Sequence, residues 1–115
     1  MKRAEMIKDK KYFNYIIKNG LYNKDKNFVI YSVDNDSNLT KFGIAIKKSI
    51  GSAVLRNRLK RQVRAIVDNN RNLFQLSKDY IIMIRENSKE SSFGEMSDSI
   101  VNIMKGRKWW RKKST

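Results

Sequence analysis

Apolar and polar positions alternate with two different periods along the chain, and the changes of period mark the elements. Between Lys10 and Lys18 the apolar residues Tyr12, Phe13, Ile16 and Ile17 fall at i, i+1, i+4 and i+5, the spacing of one helical face. Asp9 is placed to cap that helix, and Asn19-Gly20 predicts a left-handed stop. Leu21 to Asn23 reads as a short strand, Lys24 to Asn27 as a turn, and Phe28-Val29-Ile30-Tyr31-Ser32-Val33 as a β-branched and aromatic strand. Asp34-Asn35-Asp36-Ser37-Asn38 is the strongest turn signal. It returns the chain into a strand from Leu39 to Ile46, with Phe42, Ile44 and Ile46 on one face and the small Gly43 and Ala45 on the other. Small residues there let a helix or a ligand approach the sheet closely.

Ser49-Ile50-Gly51-Ser52 predicts a loop ending in an N-cap serine, followed by a helix from about Ala53 to Asn69. The continuous apolar run from Asp79 to Arg85 predicts a buried strand, and Glu86 to Ser92 a polar loop. Phe93, Met96, Ile100, Ile103 and Met104 predict a last helix, stopped by Gly106. Residues 1–8 read as a loosely held basic arm and residues 106–115 as a basic tail containing Trp109-Trp110. The order α-β-β-β-α-β-α with four strands predicts a single two-layer α+β domain spanning residues 1–115.

Charge changes the picture from a fold to a partner. The net charge is +15, from 26 Lys and Arg against 11 Asp and Glu. Such an excess opposes compaction and calls for a polyanion. No stretch approaches the ~20 apolar residues of a membrane span, and the charged N-terminus lacks a signal-peptide core. These features predict a cytoplasmic protein with no membrane partner. With no cysteine there is no disulfide-linked partner and no thiolate metal site, and with no histidine the commonest general base is missing. The carboxylates are scattered, no serine is linked to a lysine base, and Asp34 and Asp36 read as turn residues rather than metal ligands. No catalytic constellation is therefore assigned.

The cations concentrate in the central helix. Arg56, Arg58, Lys60, Arg61 and Arg64 lie within nine residues, just after Lys47-Lys48. At about 100° per residue, Leu55, Leu59, Val63, Ile66 and Val67 form a core stripe. Arg56, Lys60 and Arg64 form a cationic stripe beside it, which Arg71 joins if the helix extends that far. Arginine can grip phosphate bidentately or stack on a base, Asn57 can donate and accept at a base edge or a 2′-hydroxyl, and Gly51 and Ser52 leave helix N-terminal N–H groups open. The plainer reading is one solvated helix face. Against it, no carboxylate occurs between Asp36 and Asp68, whereas ordinary solvated helices mix signs. Phe13 and Tyr31 suit either core packing or stacking on nucleotides.

Lys47-Lys48, the run Gly51-Ser52-Ala53-Val54-Leu55-Arg56-Asn57-Arg58-Leu59-Lys60-Arg61, and Arg64 closely resemble the signature of the bacterial ribonuclease P protein subunit. The likeness extends over nearly the whole chain, through Phe13, Phe28-Val29-Ile30-Tyr31, Phe42-Gly43-Ile44 and Asp79-Tyr80-Ile81-Ile82. It implies a ribosomal-protein-like sandwich with a left-handed β-α-β crossover. It implies a role as the small basic subunit, one per catalytic RNA, of an endoribonuclease that removes the 5′ leader of precursor tRNA. The resemblance places magnesium mainly on the RNA. It places Arg56, Asn57, Arg58, Lys60, Arg61 and Arg64, with Lys47 and Lys48, against RNA, and Phe13, Ile17 and Tyr31 in a cleft for the single-stranded leader. The chain departs from the family pattern at Ser49 and at Ile17, where an aromatic residue is usual. The rival readings are a general RNA- or DNA-binding module such as a small ribosomal protein, and a protein-only nuclease, for which the chain lacks residues.

Overall fold

The computed structural model describes residues 1–111. Its elements are α1 (Lys10–Asn19), β1 (Leu21–Lys24), β2 (Phe28–Asp34), β3 (Lys41–Ile46), α2 (Ala53–Asn69), β4 (Lys78–Ile84), α3 (Phe93–Lys105) and β5 (Trp110–Arg111). The α+β class and the first seven elements follow the expected order. The sheet has five strands rather than four, in the order β3-β4-β2-β1-β5, because the chain after α3 returns to pair Trp110 with Tyr22 and Arg111 with Leu21. Strands β3 and β4 pair in parallel, with α2 as the crossover a parallel pair requires, and the other pairings are antiparallel.

Strand alternation sorts the side chains onto two faces. On one face Phe28, Ile30, Phe42, Tyr80, Ile82 and Ile84 pack with Leu59, Val63, Ile66 and Val67 of α2 and Met96, Ile100 and Ile103 of α3. Phe42, Phe74 and Tyr80 interlock there, with ring centroids 5.1–6.0 Å apart. Helix α1 lies on the other face, so the sheet has helices on both sides, not the two layers expected. Gly43 is what lets α1 approach. A Cβ at that position would stand 2.7 Å from both the Phe13 ring and Ile81.

Two buried polar residues tie the elements together. Asp79, 4% exposed, accepts hydrogen bonds from the Tyr12 hydroxyl, from Asn35 Nδ2 at 2.7 Å and from the Lys41 N–H at 3.0 Å. It thereby joins α1, the β2–β3 turn and the start of β3 to β4. Burial, and then the Asp79 hydrogen bond, pushes the Tyr12 phenol up, so it stays a donor. Asn27 is fully buried. Its Nδ2 donates to Ser99 of α3 at 2.8 Å, and its Oδ1 accepts from Asn87 and Ser91 after β4. A half-satisfied buried amide or carboxylate would cost more than it contributes, and these have their partners.

Three local expectations change. Helix α1 is capped by Asp9 as predicted, its carboxylate accepting from the Lys11 N–H at 2.9 Å. Gly20, however, has φ −75° rather than a left-handed value. Glycine is required there because a Cβ would come within 2.7 Å of the carbonyl oxygens of Ile16 and Ser32. Only Ser77, among the described residues, has a φ in the left-handed region, at 63°. The N-terminal arm is not loose. Met6 bridges to Phe42, the Ile7 N–H donates to the Phe42 carbonyl at 2.8 Å, and Arg71 forms a bidentate pair with Glu5. The tail splits, with Trp109 packed against the core, Trp110-Arg111 in β5, and its remaining residues 112–115 outside the described residues.

Gly43→Ala is expected to lower stability by about 1–3 kcal/mol, the usual cost of overpacking, read as a fall in Tm. The Arg71 hydrogen bonds hold the Glu5 carboxyl down at about 2, from an ordinary value of 4.5. A depressed carboxyl contributes stability above its unfolded value and loses it as pH falls toward its folded one. Thermal melts of the wild type are expected to lose stability between pH 4.5 and about 2 more steeply than melts of Glu5→Gln.

Candidate nucleic-acid interface

Helix α2 starts where the sequence places it. Ser52 has an extended backbone, and its Oγ accepts from the Leu55 N–H at 3.2 Å. One of the N-terminal N–H groups expected to be open is thus taken by the cap. The core stripe is as predicted, with Leu59, Val63, Ile66 and Val67 buried, and Leu55 half-buried beside them.

The cations divide into two sets. Arg56, Lys60 and Arg64 flank the core stripe and are half-buried along their stems. Arg56 Nε donates to the Gly51 carbonyl at 3.1 Å, which ties the helix to the preceding loop, and Arg64 Nε is enclosed without a partner. Asn57, Arg58 and Arg61 are exposed, as are Lys47 and Lys48 at the end of β3. The outermost cationic surface is therefore Arg58 and Arg61 with Asn57, and Arg56, Lys60 and Arg64 form its shoulder. Val54 stands among them, 81% exposed.

None of these cations is neutralised within the described residues. The ion pairs there are Met1 ammonium–Asp68, Glu5–Arg71, Asp68–Arg71 and Asp34–Lys78. Arg71 does not continue the cationic stripe. The helix stops at Asn69, and Arg71 lies over the Phe42 ring, 5.2 Å from its centroid, between two carboxylates. Asp34 pairs with Lys78 at 2.8 Å, in keeping with a turn role. Acidic side chains are used to fasten the far end of α2 and the turns, and the face from Lys47 to Arg64 keeps its full charge.

The second candidate surface is the sheet face under α1. A single row of residues crosses all five strands there: Gly43 in β3, Ile81 in β4, Tyr31 in β2, Tyr22 in β1 and Trp110 in β5. Phe13 covers the Gly43–Ile81 end of the row. Tyr31 and Tyr22 are half-buried with ring centroids 6.1 Å apart, and Tyr22 and Trp110 are 6.3 Å apart. Burial, and then the neighbouring Tyr22, pushes the Tyr31 phenol up, so its hydroxyl remains a donor. Phe13, Ile17 and Tyr31 are all half-buried, so each packs on the fold and still presents surface. The next row, Ala45, Met83, Val29 and Lys24, completes the uncovered part of this face. Beyond it the chain ends of β3 and β4 bring Lys47, Lys48 and Arg85 to the same end of the sheet.

Sequence reasoning did not place Tyr22 or Trp110 in this row. The hairpin register that sets Tyr22 opposite Tyr31 was within reach from the Lys24–Asn27 turn. The pairing of Trp110 with Tyr22 was not, because 88 residues of sequence separate them and nothing local encodes it.

The family model for ribonuclease P matches residues 1–108. The chain is 38% identical to the ribonuclease P protein component of Mycoplasma mycoides, over 91% of this chain and 97% of that one. It is 29% identical to that of Streptococcus pneumoniae serotype 4, over 96% and 90%. Among solved structures, it superimposes on the Staphylococcus aureus RNase P protein with a TM-score of 0.82 at 30% identity, covering 90% of this chain and 94% of that one. The Thermotoga maritima protein gives 0.80 at 27% identity, covering 88% and 96%.

Replacing an exposed cation should separate binding from folding. Arg58→Ala and Arg61→Ala are each expected to reduce the salt slope of RNA binding by about 0.7–0.9 for each phosphate no longer neutralised, with Tm unchanged. Arg56→Ala should lower both, since it also removes the bond to Gly51. An unchanged slope in all three variants would mean that this face does not meet phosphate.

Proposed function

The chain belongs to the ribonuclease P protein family, and on that premise we propose how it serves the holoenzyme that cleaves precursor tRNA. Arg56, Asn57, Arg58, Lys60, Arg61 and Arg64 bind the catalytic RNA close to the cleavage site, with Lys47 and Lys48 at the junction to the sheet. The half-open sheet face of Phe13, Ile17 and Tyr31 holds the single-stranded 5′ leader, so that precursor is favoured over mature tRNA. One protein serves one RNA, and the β3–α2–β4 crossover takes the family's left hand.

The observation that carries this reading is the junction at the end of β3. Lys47 and Lys48 connect an unpaired cationic helix face to the open part of an aromatic sheet face within a few residues of chain. A phosphate-binding surface continuous with a stacking surface suits RNA that passes from a structured body into a single strand. The protein's part is electrostatic and geometric: it neutralises backbone repulsion and lowers the entropy of placing the substrate. Its residues do not fit the magnesium that the family's hydrolysis uses. Among the described residues no three His, Cys, Asp or Glu side chains converge, and Asp79, the buried carboxylate, is already held by three donors. The ion is assigned to the RNA. Among the described residues no helix is long and apolar enough to cross a membrane.

Reconstitution with a bacterial ribonuclease P RNA tests this. At low magnesium and moderate salt, the protein is expected to stimulate 5′ cleavage of precursor tRNA and to bind precursor more tightly than mature tRNA. Affinity for RNA without stimulation would point instead to a general RNA-binding module. Cleavage by the protein alone would point to a protein-only nuclease.

A further inference from the structure

We infer that the leader track does not end at Tyr31 but continues over Tyr22 and Trp110, which take two further nucleotides toward the leader's 5′ end. This rests on the proposed leader site and extends it across β1 and β5.

The two adjacent tryptophans have different duties. Trp109 packs against the core and donates its indole N–H to the Gly106 carbonyl at 3.2 Å. Trp110, one residue on in an extended segment, points to the opposite face, where it is 44% exposed. A strand of only two residues, Trp110–Arg111, would be anchored well enough by Trp109 and the Leu21 and Tyr22 pairing. The Trp110 ring packs tilted against Tyr22 and keeps part of its surface open to solvent beside it.

Its surroundings suit a nucleic-acid base. The Lys108 ammonium sits 5.8 Å from the Trp110 ring centroid, and Lys24, exposed on β1, lies two residues along from Tyr22 on the same face. Aromatic platforms flanked by cations are how proteins hold single strands without reading sequence. The centroid steps of 6.1 Å and 6.3 Å along Tyr31, Tyr22 and Trp110 are nearly twice the ~3.4 Å per nucleotide of a stacked strand. One base per ring therefore demands an extended, unstacked strand, which a leader is and a tRNA acceptor stem is not. The direction follows from the sheet order. The cationic helix α2 leaves from β3 at one edge and Trp110 lies on β5 at the other, so the track leads away from the cleavage site.

The test uses the reconstituted holoenzyme and precursor tRNAs whose leaders grow by one nucleotide at a time. With wild-type protein, affinity should rise in two more steps beyond the leader length that fills the Phe13–Tyr31 cleft. Trp110→Ala should remove the last step, binding the longest leader about tenfold more weakly while leaving short-leader substrates unchanged. Trp110→Phe should restore most of the loss. Equal weakening of short and long leaders would assign Trp110 to folding and overturn the inference. So would a Trp110→Ala protein indistinguishable from wild type, or a wild type whose gain stops at the cleft. A wild type that gains nothing from any leader would overturn the leader site itself along with its extension.

Discussion

The pleat of β2, β3 and β4 sends alternate side chains to opposite faces of one sheet, and the two faces have unequal cover. Phe28, Ile30, Phe42, Tyr80, Ile82 and Ile84 meet two helices and are sealed. Val29, Tyr31, Gly43, Ala45, Ile81 and Met83 meet one short helix, which reaches only part of them. A one-residue slip in register would exchange the two sets. The sealed face supplies the hydrophobic stabilisation, and the open face is a surface the fold presents without having to bury it.

Charge is distributed around that asymmetry. A domain carrying +15 must contain its own repulsion, and its few carboxylates are spent where they hold the chain together. Glu5 and Asp68 converge on Arg71, Asp79 gathers three donors, and Asp34 secures the start of β4. The cations from Lys47 to Arg64 are left without a carboxylate partner among the described residues. In the proposed function their repulsion is relieved when RNA binds there and releases counterions, so that the charges that weaken the isolated fold would drive its association.

Elements with a strong local period were legible. The cap at Asp9, the cap at Ser52, the stripe from Leu55 to Val67 and the strand faces of Phe42, Ile44 and Ile46 all follow from spacing alone. What misled local reading was contact between distant parts. Arg71 has the right helical angle for the cationic stripe, yet Glu5 claims it from the other end of the chain. Gly20 has the right residue type for a left-handed stop, yet its role is to let the carbonyls of Ile16 and Ser32 come close. The arm before α1 carries charge and little periodicity, which reads as loose, until Met6 finds Phe42.

The sequence by itself determined the first seven elements, the split of α2 into an apolar and a cationic side, and the need for a polyanion. These depend on residues within a few turns of each other, where geometry is nearly independent of the rest of the chain. Only the tertiary structure decided which cations lack a carboxylate partner, that α1 covers part of the second sheet face, and that Tyr31, Tyr22 and Trp110 stand in one row. Those facts depend on strand order and register, which are set by the total burial of a sheet and not by any segment within it.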